Sequence, residues 1–397
     1  MAKPPSGGRA TPPLLKHLNE RTVLEAIRAR APISRAEISR RVGISKPTVS
    51  LALQSLLDAE LVREASRRPG GPSYGAVFFE PVPDAAFVLG LDLGARFVRG
   101  AVCDLTGSIR ARQDVELRGA DADSALREIV SLHASLVHAP KLPVDRIDGV
   151  VLGVPGVVDA RDETLRLTTP NIPGLEGRAF ARDLGAALGV VVTPENDVNL
   201  AAVGEHWAGV ARGVDDFAFL SIGTGMGMGL VLGGELHRGT HGAAGEVDWA
   251  LSGAGGDLDP SAEGVAALAA RIAAADGKAL RPPYDARDIF AAARSGDGVA
   301  REIVDEVARR IAAHIAPIAA VADPALVVLG GGLGANGDLL LEPVRRLLAE
   351  WIPYPPEVEV SSLGDSAVLM GALAIGLRSA LDNVFNNRST SGALRAP

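Results

Sequence analysis

The stretch LGLDLGARFVRG (Leu89–Gly100) places an aspartate and a glycine turn between two apolar segments. In a kinase hairpin of this outline, the aspartate orients a metal ion and its water, and the turn holds phosphate. A small hydroxyl residue would usually follow the turn, but here Arg96 follows Asp92 and Gly94. A guanidinium can bind phosphate, but it is larger and its donors are placed differently. The stretch predicts either a phosphate loop or an ordinary hairpin with a turn aspartate.

The stretch TPENDVNLAAVGEHW places Asn196 and Asp197 where a predicted strand gives way to a helix. An aspartate there can accept the proton of a sugar hydroxyl that attacks a γ-phosphate. It can equally hydrogen-bond that hydroxyl in a binding protein. Asn and Asp are also preferred helix N-caps, so a purely structural role stays open.

Two further glycine-rich segments could approach a nucleotide or a sugar. SIGTGMGMGL offers backbone N–H groups to an anion. LGGGLGANGDLL follows an apolar strand and precedes a helix, a usual place for a nucleotide. Each could equally be a tight connection between two elements. The predicted phosphate-loop-like positions are Asp92, Gly94, Gly223, Thr224, Gly225 and Gly331.

The first 82 residues carry a different motif. Ser34 and Ser45 are placed to cap two short helices separated by Gly43, which is the helix-turn-helix pattern. The segment LVREASRRPGGPSYGAVFFEP then predicts a wing of two strands around a basic tip. The second helix would enter the major groove by its N-terminal end. The alternative is a helical hairpin that binds protein. The predicted DNA-binding residues are Arg35, Ser45, Lys46, Pro47, Thr48, Ser50, Arg67 and Arg68.

The charge distribution separates this head from the rest of the chain. Residues 1–75 carry 13 Lys and Arg against 6 Asp and Glu, a net charge of +7. The remaining residues carry 27 against 42, a net charge of −15. This asymmetry predicts that only the head meets a polyanion.

Length and composition bound the architecture. A chain of 397 residues is too long for one ordinary core. The single cysteine, Cys103, excludes a disulfide framework and a cysteine-rich metal site. No apolar run is long enough to cross a bilayer, and no signal peptide is recognisable. These features predict a cytoplasmic protein without a membrane partner.

Alternating strand and helix patterns, repeated twice after residue 86, predict a duplicated α/β body with a cleft between two lobes. A proline-broken linker, Glu80–Ala85, precedes the body. The predicted domains are a disordered arm at 1–13, the winged helix-turn-helix at 14–82, the two-lobed body at 86–381 and a flexible tail at 382–397.

Several motifs, in a fixed order, resemble the ROK family (repressor, open reading frame, kinase) over nearly the whole chain. With a winged helix-turn-helix ahead of a sugar-kinase-like body, the chain is similar to the family's xylose and N-acetylglucosamine repressors. The resemblance implies an actin-like ATPase fold, a monosaccharide or sugar phosphate in the cleft, and a homodimer or homotetramer. The matching stretches are GLDLGARF, GVPGVVD, PNIPGLEG, ENDVNLAAVGE, SIGTGMGMGLVLGGELHRGTHGAAGEV and LGGGLGANGDLLLEPV.

Carried over residue by residue, the resemblance implies sugar contacts from Asn171, Asn196, Asp197, Glu246 and Glu263. In kinase members of the family, the aspartate corresponding to Asp197 is the catalytic base.

The chain departs from the family at its zinc loop. Asp248-Trp249 stands where Gly-His is usual, and Ala254, Gly256 and Ser261 stand where cysteines would align. No thiolate can form there, so the family's zinc is expected to be absent and no cofactor is predicted. Trp249 could stack on a sugar face, or it could simply pack in the altered loop.

The sequence therefore predicts a sugar-responsive DNA-binding regulator of carbohydrate genes, acting as a repressor on a palindromic operator. In this hypothesis sugar closes the lobes and changes the placement of the two DNA-binding heads. Two alternatives stay open, an ATP-dependent sugar kinase with a DNA-binding head and a regulator controlled by a protein partner.

Overall fold

The computed structural model describes residues 12–65, 76–119, 121–139, 142, 147–168, 171–247, 258–276 and 282–393. They form an N-terminal head followed by two lobes, and each lobe is built on one five-stranded sheet. The predicted α/β class is confirmed, with the head and the two-lobed, actin-like body in the predicted order.

The head is a three-helix unit with a small antiparallel sheet in the order β1-β3-β2. Gly43 ends the second helix with a φ of 69°, a left-handed conformation that glycine adopts at little cost. Strands β2 and β3 pair as the two sides of the predicted wing. The elements are α1 (Pro12–Arg30), β1 (Ile33–Ser34), α2 (Arg35–Val42), α3 (Lys46–Asp58), β2 (Val62–Glu64) and β3 (Phe78–Pro81).

Lobe 1 has the sheet order β10-β7-β4-β5-β6, in which β4, β5 and β6 are antiparallel neighbours and β4, β7 and β10 run parallel. Its core packs α4 and α5 on one face of the sheet. The elements are β4 (Phe87–Leu93), β5 (Phe97–Asp104), β6 (Ile109–Glu116), α4 (Ala122–Val137), β7 (Ile147–Val154), β8 (Val157–Val158), β9 (Leu165–Arg166), α5 (Phe180–Leu188) and β10 (Val192–Asn196).

Lobe 2 repeats this topology with the sheet order β13-β12-β11-β14-β15. Again three neighbouring strands are antiparallel and two follow in parallel, which confirms the predicted duplication. The elements are α6 (Asp197–Ala208), β11 (Phe217–Ile222), β12 (Met226–Leu232), β13 (Glu235–Leu236), α7 (Ala262–Asp276), α8 (Ala286–Arg294), α9 (Gly298–Ala322), β14 (Leu326–Gly330), α10 (Gly331–Gly334), α11 (Gly337–Trp351), β15 (Glu357–Val360) and α12 (Ala367–Ala393).

Helices α6 and α12 cross where the lobes meet. A Cβ at Gly204 would stand 2.2 Å from the Ala367 carbonyl oxygen, and one at Gly371 would stand 1.8 Å from that of Leu200. The two backbones can approach this closely only because both positions are glycine. Helix α12 also packs on β4 and β7, so it joins the end of the lobe 2 sheet to lobe 1.

Two predicted boundaries look different in the structure. The linker before the body is a short 3₁₀ turn, Pro83–Ala85, whose last residue is buried. Helix α12 continues past Asp382, where the sequence predicts a flexible tail, to Ala393. Of the predicted disordered arm at 1–13, residues 1–11 lie outside the described residues. The last two residues of the arm, Pro12 and Pro13, belong to α1.

Within the described ranges, no helix combines the length and the apolarity needed to cross a membrane.

Candidate functional site

The carboxyl ends of three parallel strands bring the first group of predicted residues together. In the register of lobe 1, Asp92 on β4 and Glu195 on β10 both stand beside Gly153 on β7. The strands end one or two residues later, so Asp92 and Asn196 reach the same edge of the sheet. Ligands of open α/β sheets bind beyond this edge.

Asp92 is buried and is paired with Arg99, whose Nη1 lies 3.2 Å from its Oδ2. Burial raises the pKa of Asp92 to about 6, although the Arg99 charge and its hydrogen bond oppose the rise. Asp365 and Asp114 add smaller contributions in the upward direction. The aspartate of the first hairpin is therefore already engaged with a cation of the chain itself.

Arg99 is a functional residue that the sequence analysis missed. Arg99 is the third residue of β5. Its side chain contacts Asp92, and it also lies 3.7 Å from Asp114 and 3.7 Å from Asp365. Asp365 follows the lobe 2 sheet, so this arginine also joins the lobes. A second link is the hydrogen bond from Arg112 Nη1 to Ser366 Oγ, at 2.9 Å.

Arg96, which follows the turn of the first hairpin, is paired with a neighbouring carboxylate. Its Nε lies 2.9 Å from Glu116 Oε1, and 72% of its side chain is exposed. Its guanidinium also stacks on the ring of Phe97, 5.2 Å from the centroid. Arg99 is the direct cross-strand partner of Asp92 in the pairing of β4 with β5, so the cation beside Asp92 comes from Arg99.

Asn196 and Asp197 occupy different positions at the start of α6. Asn196 is the N-cap of α6, because its Oδ1 accepts from Asn199 N at 2.9 Å. Its Nδ2 donates to the carbonyl of Gly156 at 3.0 Å. Asp197 is the first helical residue, and burial raises its pKa to about 7. The negative charges of Asp92 and, less strongly, Glu246 contribute to this rise, so the three carboxyl groups share one environment.

Glu195 was also missed by sequence reasoning. It is buried, and its Oε1 accepts from Asn199 Nδ2 and Asn196 N, both at 3.0 Å. Its Oε2 accepts from Arg238 Nε at 2.6 Å. A carboxylate inside the strand, directly before Asn196 and Asp197, was the available signal. The ion pair fixes the loop at residues 237–247 against the start of α6.

The loop that carries Glu246 lies between the lobes. Gly242, with a φ of 78°, approaches Val158 of lobe 1, where a Cβ would stand 2.6 Å from the carbonyl oxygen. Gly245, with a φ of 99°, approaches Met228 of lobe 2 in the same way, at 2.0 Å. The loop thus forms a wall of the cleft and holds Glu246, which is half-buried.

The glycine-rich segments of lobe 2 adjoin one another. Gly223 to Gly225 form the tight turn between β11 and β12, with Thr224 and Gly225 exposed. Gly331 follows β14, the parallel neighbour of β11, with a φ of 75°. A Cβ there would stand 2.4 Å from the Ile222 carbonyl oxygen, so the close approach requires glycine.

The same turn contacts the start of α7, where Glu263 lies exposed in the first helical turn. Ala262 N donates to the Gly223 carbonyl at 2.9 Å. Ser261 Oγ donates to Asp259 Oδ2 at 2.8 Å and accepts from Gly264 N at 3.4 Å. This cap fixes Glu263 beside the glycine turn.

Two buried side chains of α9, which the sequence analysis did not single out, hold the approach to α7. Arg310 Nη1 donates to the Asp259 carbonyl at 2.6 Å, and His314 Nε2 lies 3.0 Å from the Leu258 carbonyl oxygen. Arg310 also pairs with Glu306 at 3.2 Å. A buried guanidinium is expensive unless it is paired in this way, so the anchor is a specific feature of the fold.

The remaining two predicted sugar contacts are Asn171 and Trp249. Asn171 is exposed, next to Ile172, which is buried in the lobe 1 core. Trp249 lies outside the described residues, as do all of residues 248–257.

No group of three or more His, Cys, Asp or Glu side chains is arranged to hold a metal ion in the part of the chain that the structure describes. Cys103, the one cysteine of the sequence, is buried on β5 of lobe 1. The absence of zinc stays a prediction, because the loop concerned is not among the described residues.

Both helix caps that the sequence predicts for the N-terminal head are present. Ser34 Oγ accepts from Glu37 N at 3.3 Å, and Ser45 Oγ accepts from Thr48 N at 3.4 Å, so both serines cap their helices. Pro47 lies in the first turn of α3. Arg35, Lys46 and Pro47 are exposed beside these caps. Arg67 and Arg68 lie outside the described residues.

The head is docked on lobe 1. Leu105, at the end of β5, is buried in the core of the head together with Ala85 and Ala86. Arg110 pairs with Asp104 at 2.9 Å and with Asp84. Burial lowers the pKa of Arg28 on α1, while the negative charges of Glu25 and Asp104 oppose the change.

Two family profiles match the chain, the ROK family over residues 88–378 and a winged helix-turn-helix DNA-binding family over residues 17–63. A putative xylose repressor of Caldicellulosiruptor sp. is 28% identical over 91% of this chain and 96% of that protein. Glucokinase of Streptomyces coelicolor is 30% identical over 72% of this chain and 95% of the enzyme. A solved ROK family transcriptional regulator, a homolog of the E. coli MLC protein, shares the fold, with a TM-score of 0.78 and 21% identity over 94% of this chain and 98% of that one.

Proposed function

Because the chain belongs to the ROK family and carries an N-terminal winged helix-turn-helix, we propose that it is a sugar-responsive DNA-binding repressor of carbohydrate genes. The observation that carries the proposal is the docking of a DNA-binding head on a lobe whose opposite edge bears a cluster of carboxyl groups. The relative described as a putative xylose repressor, which aligns with nearly the whole chain, supports this assignment.

The cleft suits a neutral monosaccharide. Asp197 and Glu246 offer acceptors to sugar hydroxyls, and the amide of Asn196 retains one N–H after its bond to Gly156. A sugar phosphate is less well supported, because Arg96 and Arg99 are both paired with carboxylates of the chain. Asn171, Glu263 and Trp249 complete the proposed pocket, with no metal or cofactor.

The response would pass through the contact between the lobes. A sugar that contacts both lobes binds more tightly to the lobe arrangement in which all of its contacts form. It shifts the equilibrium toward that arrangement by the difference between its binding free energies for the two arrangements. Because the head is docked on lobe 1, it would follow that lobe as the angle between the lobes changes. In a homodimer or homotetramer, the two recognition helices must stay one or more helical turns of DNA apart, so a modest rotation would release a palindromic operator.

The paired state of Asp92 supports a regulator rather than an enzyme. In phosphoryl transfer a carboxylate at this edge serves a metal ion bound to phosphate. Here Arg99 Nη1 lies 3.2 Å from Asp92 Oδ2. In addition, no hydroxyl residue follows the Gly94 turn of the first hairpin.

A second candidate function is an ATP-dependent sugar kinase with a DNA-binding head. The pKa of Asp197, near 7, is that of an effective general base at neutral pH, and the glucokinase relative shares the body. Release of ADP from ATP and magnesium on addition of a monosaccharide would establish it. Binding of sugar without any ADP release would support the regulator.

The proposed function predicts a specific loss in Asp197→Asn. Removing one charged acceptor of a sugar hydroxyl should weaken sugar affinity by roughly 10-fold to 100-fold. Thermal shift against a panel of monosaccharides would first identify the ligand by stabilisation of the wild-type chain. DNA binding without sugar should be the same in both proteins, measured on a duplex selected from a random-sequence library.

Val191→Ala, at an exposed position of lobe 1, is the matched control and should keep the wild-type response. If Asp197→Asn still releases DNA at the wild-type sugar concentration, the pocket assignment is wrong. If the wild-type chain selects no duplex, the DNA-binding function itself fails.

A further inference from the structure

One leucine of the recognition helix α3 lies in solvent. Leu51 is 73% exposed, whereas Val49, Leu53 and Leu56 on the other side of the helix are buried. With 3.6 residues per turn, Leu51 shares its face with the exposed residues Pro47, Gln54 and Asp58. This face points away from the core of the head, so it is the face that α3 can present to a ligand.

The hydroxyl groups at the start of α3 are already hydrogen-bonded within the head. Ser45 Oγ lies 2.8 Å from Thr48 Oγ1, in addition to capping the helix. Ser50 Oγ donates to the Lys46 carbonyl at 2.9 Å and accepts from Arg35 Nη1 at 3.1 Å. The single proton of Ser50 is therefore already donated, so in this conformation Ser50 has no donor left for a phosphate oxygen or a base edge. Base recognition is left to side chains further along the exposed face.

The surroundings of Leu51 are those of a nucleic-acid surface. Arg35, Arg40, Arg41 and Lys46 are exposed on the same helix pair, and the head carries the positive charge of the chain. The exposed residues on the same face as Leu51, namely Pro47, Gln54 and Asp58, add little apolar surface, whereas a protein-binding site usually has a larger contiguous apolar patch. The major groove offers one apolar group at a base edge, the 5-methyl group of thymine.

We propose that Leu51 reads a thymine 5-methyl group in the major groove, which makes it a specificity-determining residue of the operator. This inference rests on the proposed DNA-binding function. Gln54, one turn further along the same face, donates to Asp58 Oδ1 at 2.8 Å in the free protein. Its amide can instead face an adenine, which takes one donor and one acceptor.

The test compares thymine with deoxyuridine, which lacks only the 5-methyl group. The full-length wild-type chain is used to select a duplex from a random-sequence library, and each thymine of one half-site is then replaced in turn. At one of these positions, the wild-type chain should bind the deoxyuridine duplex about fourfold more weakly than the thymine duplex, as expected for the loss of one buried methyl group. Leu51→Ala should bind the thymine duplex weakly and should not distinguish it from the uracil duplex.

Gln54→Ala is the matched control, because it alters the same helix face but leaves the methyl contact, so it should keep the fourfold difference. Thermal unfolding should show that Leu51→Ala folds as the wild type does, since Leu51 is exposed and alanine favours helix. The inference is overturned if no uracil position weakens wild-type binding, or if Leu51→Ala retains the same penalty. Failure to select any duplex would overturn the proposed function as well, so the two failures are distinguishable.

Discussion

At the scale of single residues, Arg99 decides the chemistry of the first hairpin. Its guanidinium sits beside a buried carboxylate that would otherwise be available to a bound cation. A buried charge is tolerated only when it is paired or neutralised. Arg99 therefore serves both to stabilise the ionised form of Asp92 and to join that aspartate to Asp365 across the lobes.

Arg99→Ala should lower the free energy of unfolding by roughly 3 kcal/mol at pH 8, because it leaves Asp92 buried without its cation. The folded-state pKa of Asp92, already raised to about 6, would rise further. A raised carboxyl pKa favours the folded state below the unfolded value and costs stability as pH rises through the folded value. The deficit should thus shrink at pH 5, which urea unfolding at both pH values would measure.

Arg96→Ala removes the exposed pair with Glu116 and is the control, with an expected change of about 0.5 kcal/mol or less. An Arg99→Ala deficit of the same size at pH 5 and pH 8 would contradict the role assigned to the pair with Asp92.

At the scale of secondary-structure elements, α9 positions the glycine turn of lobe 2. Arg310 and His314 hold the carbonyls of Asp259 and Leu258, and the cap that follows places Glu263 next to Gly223. Gly264 makes this possible, because a Cβ there would stand 2.1 Å from the Asp259 carbonyl oxygen. The loop before α7 and the glycine turn of lobe 2 are therefore held by one buried anchor.

Arg310→Met should lower the free energy of unfolding by about 1–3 kcal/mol, since it leaves a buried carbonyl without its donor. Sugar affinity should fall as Glu263 loses its fixed position, while DNA affinity without sugar stays unchanged. Calorimetric titration with sugar and anisotropy with labelled DNA would measure the two affinities.

Arg309→Met is the neighbouring control. Both arginines pair with Glu306, but 43% of the Arg309 side chain is exposed against 1% for Arg310. Equal losses of sugar affinity in the two variants would show that the anchor acts through Glu306 and not through the Asp259 carbonyl.

At the scale of the whole molecule, the head and lobe 1 share one packed interface. Leu105 lies in the head's core although it belongs to the turn after β5, and Leu105 N donates to the Pro83 carbonyl at 3.1 Å. Strand β5 runs from Arg99, beside the cleft, to this interface. A change in the lobe angle therefore has a direct structural route to the DNA-binding head.

Leu105→Ala should open a cavity in this interface, at a cost of about 2–5 kcal/mol to the packing of the head on the lobe. Sugar affinity should be preserved, but the decrease in DNA affinity caused by sugar should shrink. Fluorescence anisotropy with and without sugar would measure that ratio. An unchanged ratio would show that the coupling takes another route.

Local features of this protein were predictable from its sequence. The serine caps, the left-handed Gly43 and the duplicated strand pattern depend on neighbours within a few residues. For that reason the start of α6 at Asp197 agrees with the prediction. The order of the motifs was enough to identify the family.

The tertiary structure alone decided which side chains meet. Arg99 and Asp365, Arg310 and Asp259, and Leu105 and the head core are far apart in the chain. Their contacts arise from the packing of whole elements, which residue types at a given spacing do not encode. The exposure of Leu51 and the outward direction of Arg96 were decided in the same way, because burial depends on what covers a helix or a strand rather than on its own sequence.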